Sequence, residues 1–346
     1  MSTLYTPYID VTINADWSQW QKYPNGRPNP IYYEQAIQWG IDGLIFGFIT
    51  LDEVTKTPCW AATKEMPLSW ALPLAQELNS AGIAVIISFG GASNQDISTH
   101  FSITELEEIY VSTIDMYQAK GLDFDLENTY FDAAKIFAAL KNVAIRKPDV
   151  AISLTLPTLP TGLNPGPTGE EIILEAKKAG LNFTVNGMAM DYGDPDNDPD
   201  TQTEMGKAAV QAALSISRQL GVLYPDLSQA QLLAKVAITP MIGLNDDNSM
   251  FKLDDVNTLT QFSNINPLKF IGIWSFNRDH PSGYIYVDLT TSSNPEQKLD
   301  GEYSRQFVAG LKTTTVPHVP GPFGRAYFEQ HPARRNPRFR CPTSTK

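Results

Sequence analysis

Gly121-Leu122-Asp123-Phe124-Asp125-Leu126-Glu127 alternates carboxylates with apolar residues and ends on a glutamate. Asp is disfavoured in strands, yet the period of two reads as one. Asp123, Asp125 and Glu127 then point to one face while Leu122, Phe124 and Leu126 point to the other. Neighbours on a face stand roughly 6.6 Å apart, two rises of about 3.3 Å. Carboxylates that close in a shielded pocket disfavour one another's charge, so at least one holds a proton near neutral pH. A carboxylic acid that keeps its proton beside ionised ones is equipped to protonate a leaving group. Taken alone, the run also fits an edge strand with one solvated face, or a divalent cation held by clustered oxygens.

Working outward, strand-like runs cover Tyr8 to Ile13, Gly43 to Thr50, Ala84 to Gly91, Leu122 to Glu127, Ala151 to Leu156, Phe183 to Tyr192, Lys235 to Gly243 and Phe270 to Asn277. Helical patterns fall between them, at Leu68 to Ser80, Ile103 to Gln118, Asp132 to Arg146, Glu170 to Lys178 and Thr203 to Leu220, several preceded by Ser, Thr or Asp as caps. Strands alternating with helices in this number predict a (β/α)8 TIM barrel over residues 1–311, with its active site at the carboxyl ends of the strands. The unusual residues obey that rule: Ser88-Phe89-Gly90-Gly91, Glu127, Met190-Asp191-Tyr192 and Trp274 all close predicted strands. A doubly wound open sheet is the alternative, but the chain has no Gly-rich phosphate loop of the Rossmann or P-loop type.

Composition narrows the function. The 346 residues are 42% hydrophobic and 18% charged, which describes a globular protein with ample core, and no run of eighteen apolar residues suggests a membrane span. Net charge is −12, unevenly spread. From Lys312 onward seven Lys and Arg face Glu329 alone, leaving +6 on a Pro-rich tail over 312–346 and −18 on the body. An acidic body argues against nucleic acid as the ligand and suits a neutral polymer. Cys59 and Cys341 are too few for a disulfide framework and too far apart for a metal knuckle. Met1-Ser2-Thr3-Leu4-Tyr5 lacks the regions of a signal peptide, so compartment stays open.

With these placements, the residues resemble glycoside hydrolase family 18, the chitinase family, whose fourth strand carries DGxDxDxE. Here the run is Lys120-Gly-Leu-Asp-Phe-Asp-Leu-Glu127, changed only at its first acidic position, and Lys120 has the opposite parity to the three carboxylates. The family's third-strand SxGG matches Ser88 to Gly91, and its last-strand Trp matches Trp274. On strand six the family commonly has MxYD or QxYN. Met188-Ala189-Met190-Asp191-Tyr192 puts Met190 where the tyrosine stands, so its hydroxyl is lost or comes from Tyr192. Similar MxMDYG runs occur in a bacterial and archaeal branch of the family.

The resemblance implies a retaining hydrolase of β-1,4-linked N-acetylglucosamine, acting on chitin or its oligosaccharides without metal or cofactor, as a monomer. The family is an exception to the two-carboxylate scheme, because the substrate's own acetamido group is the nucleophile. By the match, Glu127 is the acid, Asp125 holds the acetamide N–H, and Asp123 shares a proton or hydrogen bond with Asp125. Asp191 and Tyr192 would contact the sugar, Met190 would line its site, and Trp274 would form an apolar floor beneath the ring. Gly90 and Gly91 would allow close backbone packing, and Ser88 would brace the aspartates. A serine nucleophile would need a histidine base, and of the four histidines only His280 falls near a strand end. Within the resemblance, an endo-β-N-acetylglucosaminidase on N-glycans and a non-catalytic chitinase-like lectin are the alternatives. Such lectins commonly lose the terminal glutamate, which this chain keeps. The family also implies secretion.

Two further features read separately. Asp194-Pro-Asp196-Asn-Asp198-Pro-Asp200 has the alternation of a calcium loop, but Pro199 and Met205 stand where the glycine and closing glutamate belong. Trp17, Trp20, Trp60 and Tyr130 are candidates to extend a sugar groove from early loops, or equally for local packing.

Overall fold

The computed structural model describes residues 2–192 and 204–312. Eight parallel strands close into a barrel: β1 (Leu4–Tyr5, resuming past Thr6 and Pro7 as Tyr8–Asp10), β2 (Gly43–Asp52), β3 (Ala84–Gly90), β4 (Gly121–Asp125), β5 (Ala151–Leu159), β6 (Thr184–Ala189), β7 (Val236–Pro240) and β8 (Phe270–Ile271). Pro7, which has no N–H to give, lies between the two pieces, and its carbonyl accepts from Ile45 of β2 at 2.8 Å. The first piece pairs with β8 and the second with β2, so the ends of the sheet meet. Helices α1 (Ile31–Trp39), α2 (Leu72–Ser80), α3 (Ile103–Tyr117), α4 (Ala133–Arg146), α5 (Glu170–Lys178), α6 (Met205–Leu223), α7 (Leu253–Ile265) and α8 (Glu302–Lys312) alternate with the strands.

The helices on either side of β4 begin where their caps dictate. Ser102 and Glu105 form a reciprocal capping box on α3. Asp132, read as the first helical residue, instead caps α4 by accepting the Lys135 N–H at 3.0 Å.

β4 lies between β3 and β5 and is buried along its whole length, which removes the edge-strand reading. Phe124 turns outward, stacked on Phe89 at 5.6 Å and edge-on to Tyr110 of α3 at 5.3 Å. Burying such a ring contributes roughly 1.5–3 kcal/mol, and it locks the parity that sends Asp123 and Asp125 inward.

Several strands end earlier than their apolar runs. β4 stops at Asp125, so Glu127 stands just beyond it. β6 stops at Ala189 rather than Tyr192, and β8 is regular only at Phe270 and Ile271, although its backbone bonds run on to Trp274, whose N–H donates to Pro240 O at 2.8 Å and whose carbonyl accepts from Ile242 at 3.0 Å. Past β4 one further bond, Leu126 N–H to Thr155 O at 3.0 Å, still ties the chain to β5 just before Glu127. The basic tail beyond Lys312 and the acidic run from Asp194 to Asp200 lie outside the described residues. No described helix is long and apolar enough to cross a membrane.

Candidate active site

At the carboxyl ends of the strands lies a cavity of about 310 Å3. Its walls include Asp125 and Glu127 from the end of β4, Gly90 and Gly91 from β3, Met188, Met190 and Asp191 from β6, and Trp274 after β8. Tyr8, Asp10, Phe48, Thr155 and Asp246 join them. Five carboxylates and no basic residue or histidine line it among the described residues. His280 is turned to Asp300 and Gln35 instead.

Asp123 sits beneath this floor, fully buried, and both its oxygens are committed. Tyr8 Oη donates to Oδ2 at 2.9 Å and Ser88 Oγ at 2.6 Å, while Ser153 Oγ and Thr155 Oγ1 donate to Oδ1 at 2.6 and 2.8 Å. The register supplies two of these donors, since Ser88, Asp123 and Ser153 are direct neighbours across three strands. Asn186 of β6 donates to Tyr8 Oη and Thr155 Oγ1 at 3.0 Å each, and Thr239 of β7 donates to Asn186 Oδ1 at 2.9 Å. Burial lifts Asp123 above the usual carboxylate range, and the four hydroxyls oppose it. Four donors aimed at one carboxylate leave it no lone pair for a cation, which weighs against reading the three acids as metal ligands.

Asp125 has the opposite surroundings. It lines the cavity, but its buried Oδ1 has no hydrogen-bond partner among the described residues. Burial, then the charge of Glu127, then that of Asp123 push it well above the ordinary range. Asp123 thus acts on Asp125 through its charge. Glu127 is half-buried, and burial followed by the charge of Asp191 raises it.

The backbone around the pair leaves no room. At Gly90, φ is +103°, and a Cβ there would stand 2.2 Å from the Asp125 carbonyl oxygen. Gly91, at φ +93°, donates its N–H to the same oxygen at 3.0 Å. Just past Glu127, the Asn128 amide donates to the carbonyl of Gly91 at 2.7 Å and holds the loop after β3 against the acid. Across the cavity, Trp274 meets Phe48 at 5.7 Å and Tyr8 at 6.4 Å between centroids, which makes an apolar wall.

The residues read from strand six divide. Met190 and Asp191 line the cavity, whereas Tyr192 does not, and its buried hydroxyl has no partner among the described residues. Tyr192 thus does not return the hydroxyl that Met190 removes. Parity could not decide this because β6 has already ended, and Asp191 stands at φ +52°. Ser88 lies below the cavity as a brace on Asp123. Trp60 is fully buried, while Trp17, Trp20 and Tyr130 are exposed.

Sequence reasoning passed over Tyr8, Asp10, Phe48, Thr155, Asn186 and Asp246. Tyr8 and Asn186 carried a usable signal, being polar or phenolic residues inside strand runs that face the same way as Asp123 across the register.

No protein-family model matches the chain. It is 31% identical over 297 residues to a probable bifunctional chitinase/lysozyme of Escherichia coli (strain K12), a match covering 81% of this chain and 31% of that protein. It is 34% identical over 304 residues to Endochitinase 11 of Metarhizium anisopliae, covering 84% and 55%. The chain thus spans about a third and about half of these curated relatives. Among solved structures, the catalytic domain of a hyperthermophilic chitinase from Pyrococcus furiosus aligns with TM-score 0.77 at 30% identity, covering 92% of this chain and 97% of that one. Catalytic-site mutants of active domain 2 of a thermostable chitinase from Pyrococcus furiosus, complexed with chito-oligosaccharides, align with TM-score 0.78 at 30% identity, over 92% and 98%.

Proposed function

The chain belongs to glycoside hydrolase family 18, the chitinase family, and from that premise we propose that it cleaves β-1,4-linked N-acetylglucosamine in chitin and its oligosaccharides, as a monomer and with net retention. The observation that carries the reading is the contrast inside one carboxyl pair. Asp125, which lines the cavity, keeps a buried oxygen without a hydrogen-bond partner among the described residues, while the charge of its neighbour Glu127 raises its proton affinity. An acetamide N–H is the donor that this oxygen lacks.

The proton follows from the same geometry. With the cavity empty, burial and the charge of Asp123 favour the shared proton on Asp125, facing Glu127. When a substrate N–H donates to Asp125, it stabilises the ionised form, and the proton passes to Glu127. Glu127 then gives it to the glycosidic oxygen as the bond from the anomeric carbon breaks. The acetamido carbonyl oxygen closes on that carbon to form an oxazolinium ion, whose positive charge faces ionised Asp125. Ionised Glu127 takes a proton from water as water opens the ring on the same face from which the leaving group departed. Asp123, locked by its hydroxyls, keeps a fixed negative field under Asp125. Trp274 floors the sugar and Asp191 meets its polar edge, in the manner of the branch that carries MxMDYG on strand six.

Product analysis on chitin oligosaccharides with the anomers resolved tests the whole reading. The β-anomer should form first, and oligosaccharides carrying hydroxyl in place of the acetamido group should stay intact. An α-anomer as first product, or efficient cleavage of the hydroxyl analogue, would require another nucleophile.

A further inference from the structure

Asn245 is not among the residues lining the cavity and carries no charge, yet it determines where one of the cavity's charges stands. Asp191 leaves β6 in the left-handed region, at φ +52°, uncommon for a residue with a side chain though more accessible to Asp than to most. What holds it is the loop after β7. The Asp191 N–H donates to Asn245 Oδ1 at 3.2 Å, and Asp191 Oδ1 accepts the N–H of Asp246 at 2.9 Å and of Asp247 at 3.4 Å. Asn245 itself is fully buried. Its amide nitrogen donates to the carbonyls of Met241 at 2.9 Å and Gly243 at 3.0 Å, and its backbone N–H donates to Ser249 O at 2.8 Å. Arg278, 1% exposed, braces the same loop from β8 by donating to Leu244 O at 2.7 Å and Asp288 O at 2.9 Å.

We propose that Asn245 is a positioning residue for the acid: by clamping the end of β6 to the loop after β7, it keeps Asp191 in the wall of the cavity that Glu127 also lines, and so sets the field in which Glu127 works. The inference rests on the reading of Glu127 as the acid. The charges that face Glu127 are Asp125 from β4 and Asp191 from β6. Those around Asp191 are Asp246 and Asp247 from the loop after β7, and Arg278 after β8. The charge of Asp191 raises the proton affinity of Glu127. Moving that charge into solvent therefore lowers it, and Glu127 loses its proton at lower pH. Because Asn245 is neutral, replacing it changes no charge directly. An effect on Glu127 has to be relayed through a charge whose place Asn245 helps to set, and the double variant with Asp191→Asn separates Asp191 from Asp246, which stands on the same loop.

The test is a carbon-13 NMR titration of Glu127 in the full chain labelled at glutamate side-chain carboxyls, with the resonance assigned through Glu127→Gln. Asp191→Asn, Asn245→Ala and the double variant are compared with the parent. The expected result is a Glu127 midpoint moved to lower pH in both single variants, with no further movement in the double variant. An unmoved midpoint in Asn245→Ala, or a double variant shifted beyond Asp191→Asn, overturns the proposal. Should Asn245→Ala fail to fold, Asn245→Ser carries the same expectation, since its hydroxyl is too short to reach both partners. The titration needs no turnover, so it decides this point separately from whether Glu127 catalyses cleavage. In the active protein, the upper limb of the kcat profile moves to lower pH in parallel.

Discussion

The end of β4 and the end of β6 bring acids to the same cavity by opposite means. On β4 the strand's own parity aims Asp123 and Asp125 inward, and the neighbouring strands supply the partners in register. At β6 the strand has ended before Asp191, and a side-chain amide from a loop 54 positions away holds that residue's backbone. A site built within a ladder inherits the rigidity of the barrel. A site built past the ladder depends on a few hydrogen bonds, and it is correspondingly easier to retune without unfolding the protein.

That contrast can be broken or sharpened by substitution. The largest expected effect is at the end of β4: Glu127→Gln should lower kcat on chitin oligosaccharides by about 10^2–10^4-fold, the usual contribution of a positioned general acid, while thermal unfolding stays near that of the parent. Wild-type turnover in this variant would remove Glu127 from the mechanism. Next comes the wall against which β4 packs. Gly90→Ala combines a positive φ with a Cβ 2.2 Å from a backbone oxygen, and denaturant unfolding should show a loss of roughly 3 kcal/mol or more.

Smaller still is Ser153→Ala, which takes one of four donors from a buried carboxylate. A loss of about 1–3 kcal/mol is expected. The direction also has a pH signature. Asp123 is already raised in the folded state, and losing a donor raises it further. A raised folded pKa favours folding below the unfolded value and loses that advantage as pH rises through the folded value. The defect of Ser153→Ala should thus be larger at neutral pH than at acid pH. The smallest effect belongs beyond β6. Tyr192→Phe removes a hydroxyl without a partner among the described residues, so activity and stability should both stay within about 0.5 kcal/mol of the parent. A large loss of activity there would return Tyr192 to the site.

The barrel was legible because its strands are long apolar runs at regular intervals, and the acid run was legible because three carboxylates on one strand face have few physical explanations. Trp274, Gly90 and Gly91 followed from where their strands end. Strand ends themselves were less legible. Met190-Asp191-Tyr192 continues an apolar run, and nothing local announces that the ladder stops at Ala189. The cavity's remaining members come from far apart in sequence: Tyr8 reaches Asp123 across 115 positions, and Asp246 reaches Asp191 across 55.

Asp123 and Asp125 mark the division most clearly. In sequence they are the same residue, two apart, on one face, flanked by the same kinds of neighbour. That both point into the barrel follows from the local chain, because side-chain direction in a strand has a period of two. That one is saturated by four hydroxyls, while the other keeps a buried oxygen without a partner among the described residues, depends on the assembled barrel. The donors stand on other strands, and closure and register of the barrel determine which of the two carboxylates they meet.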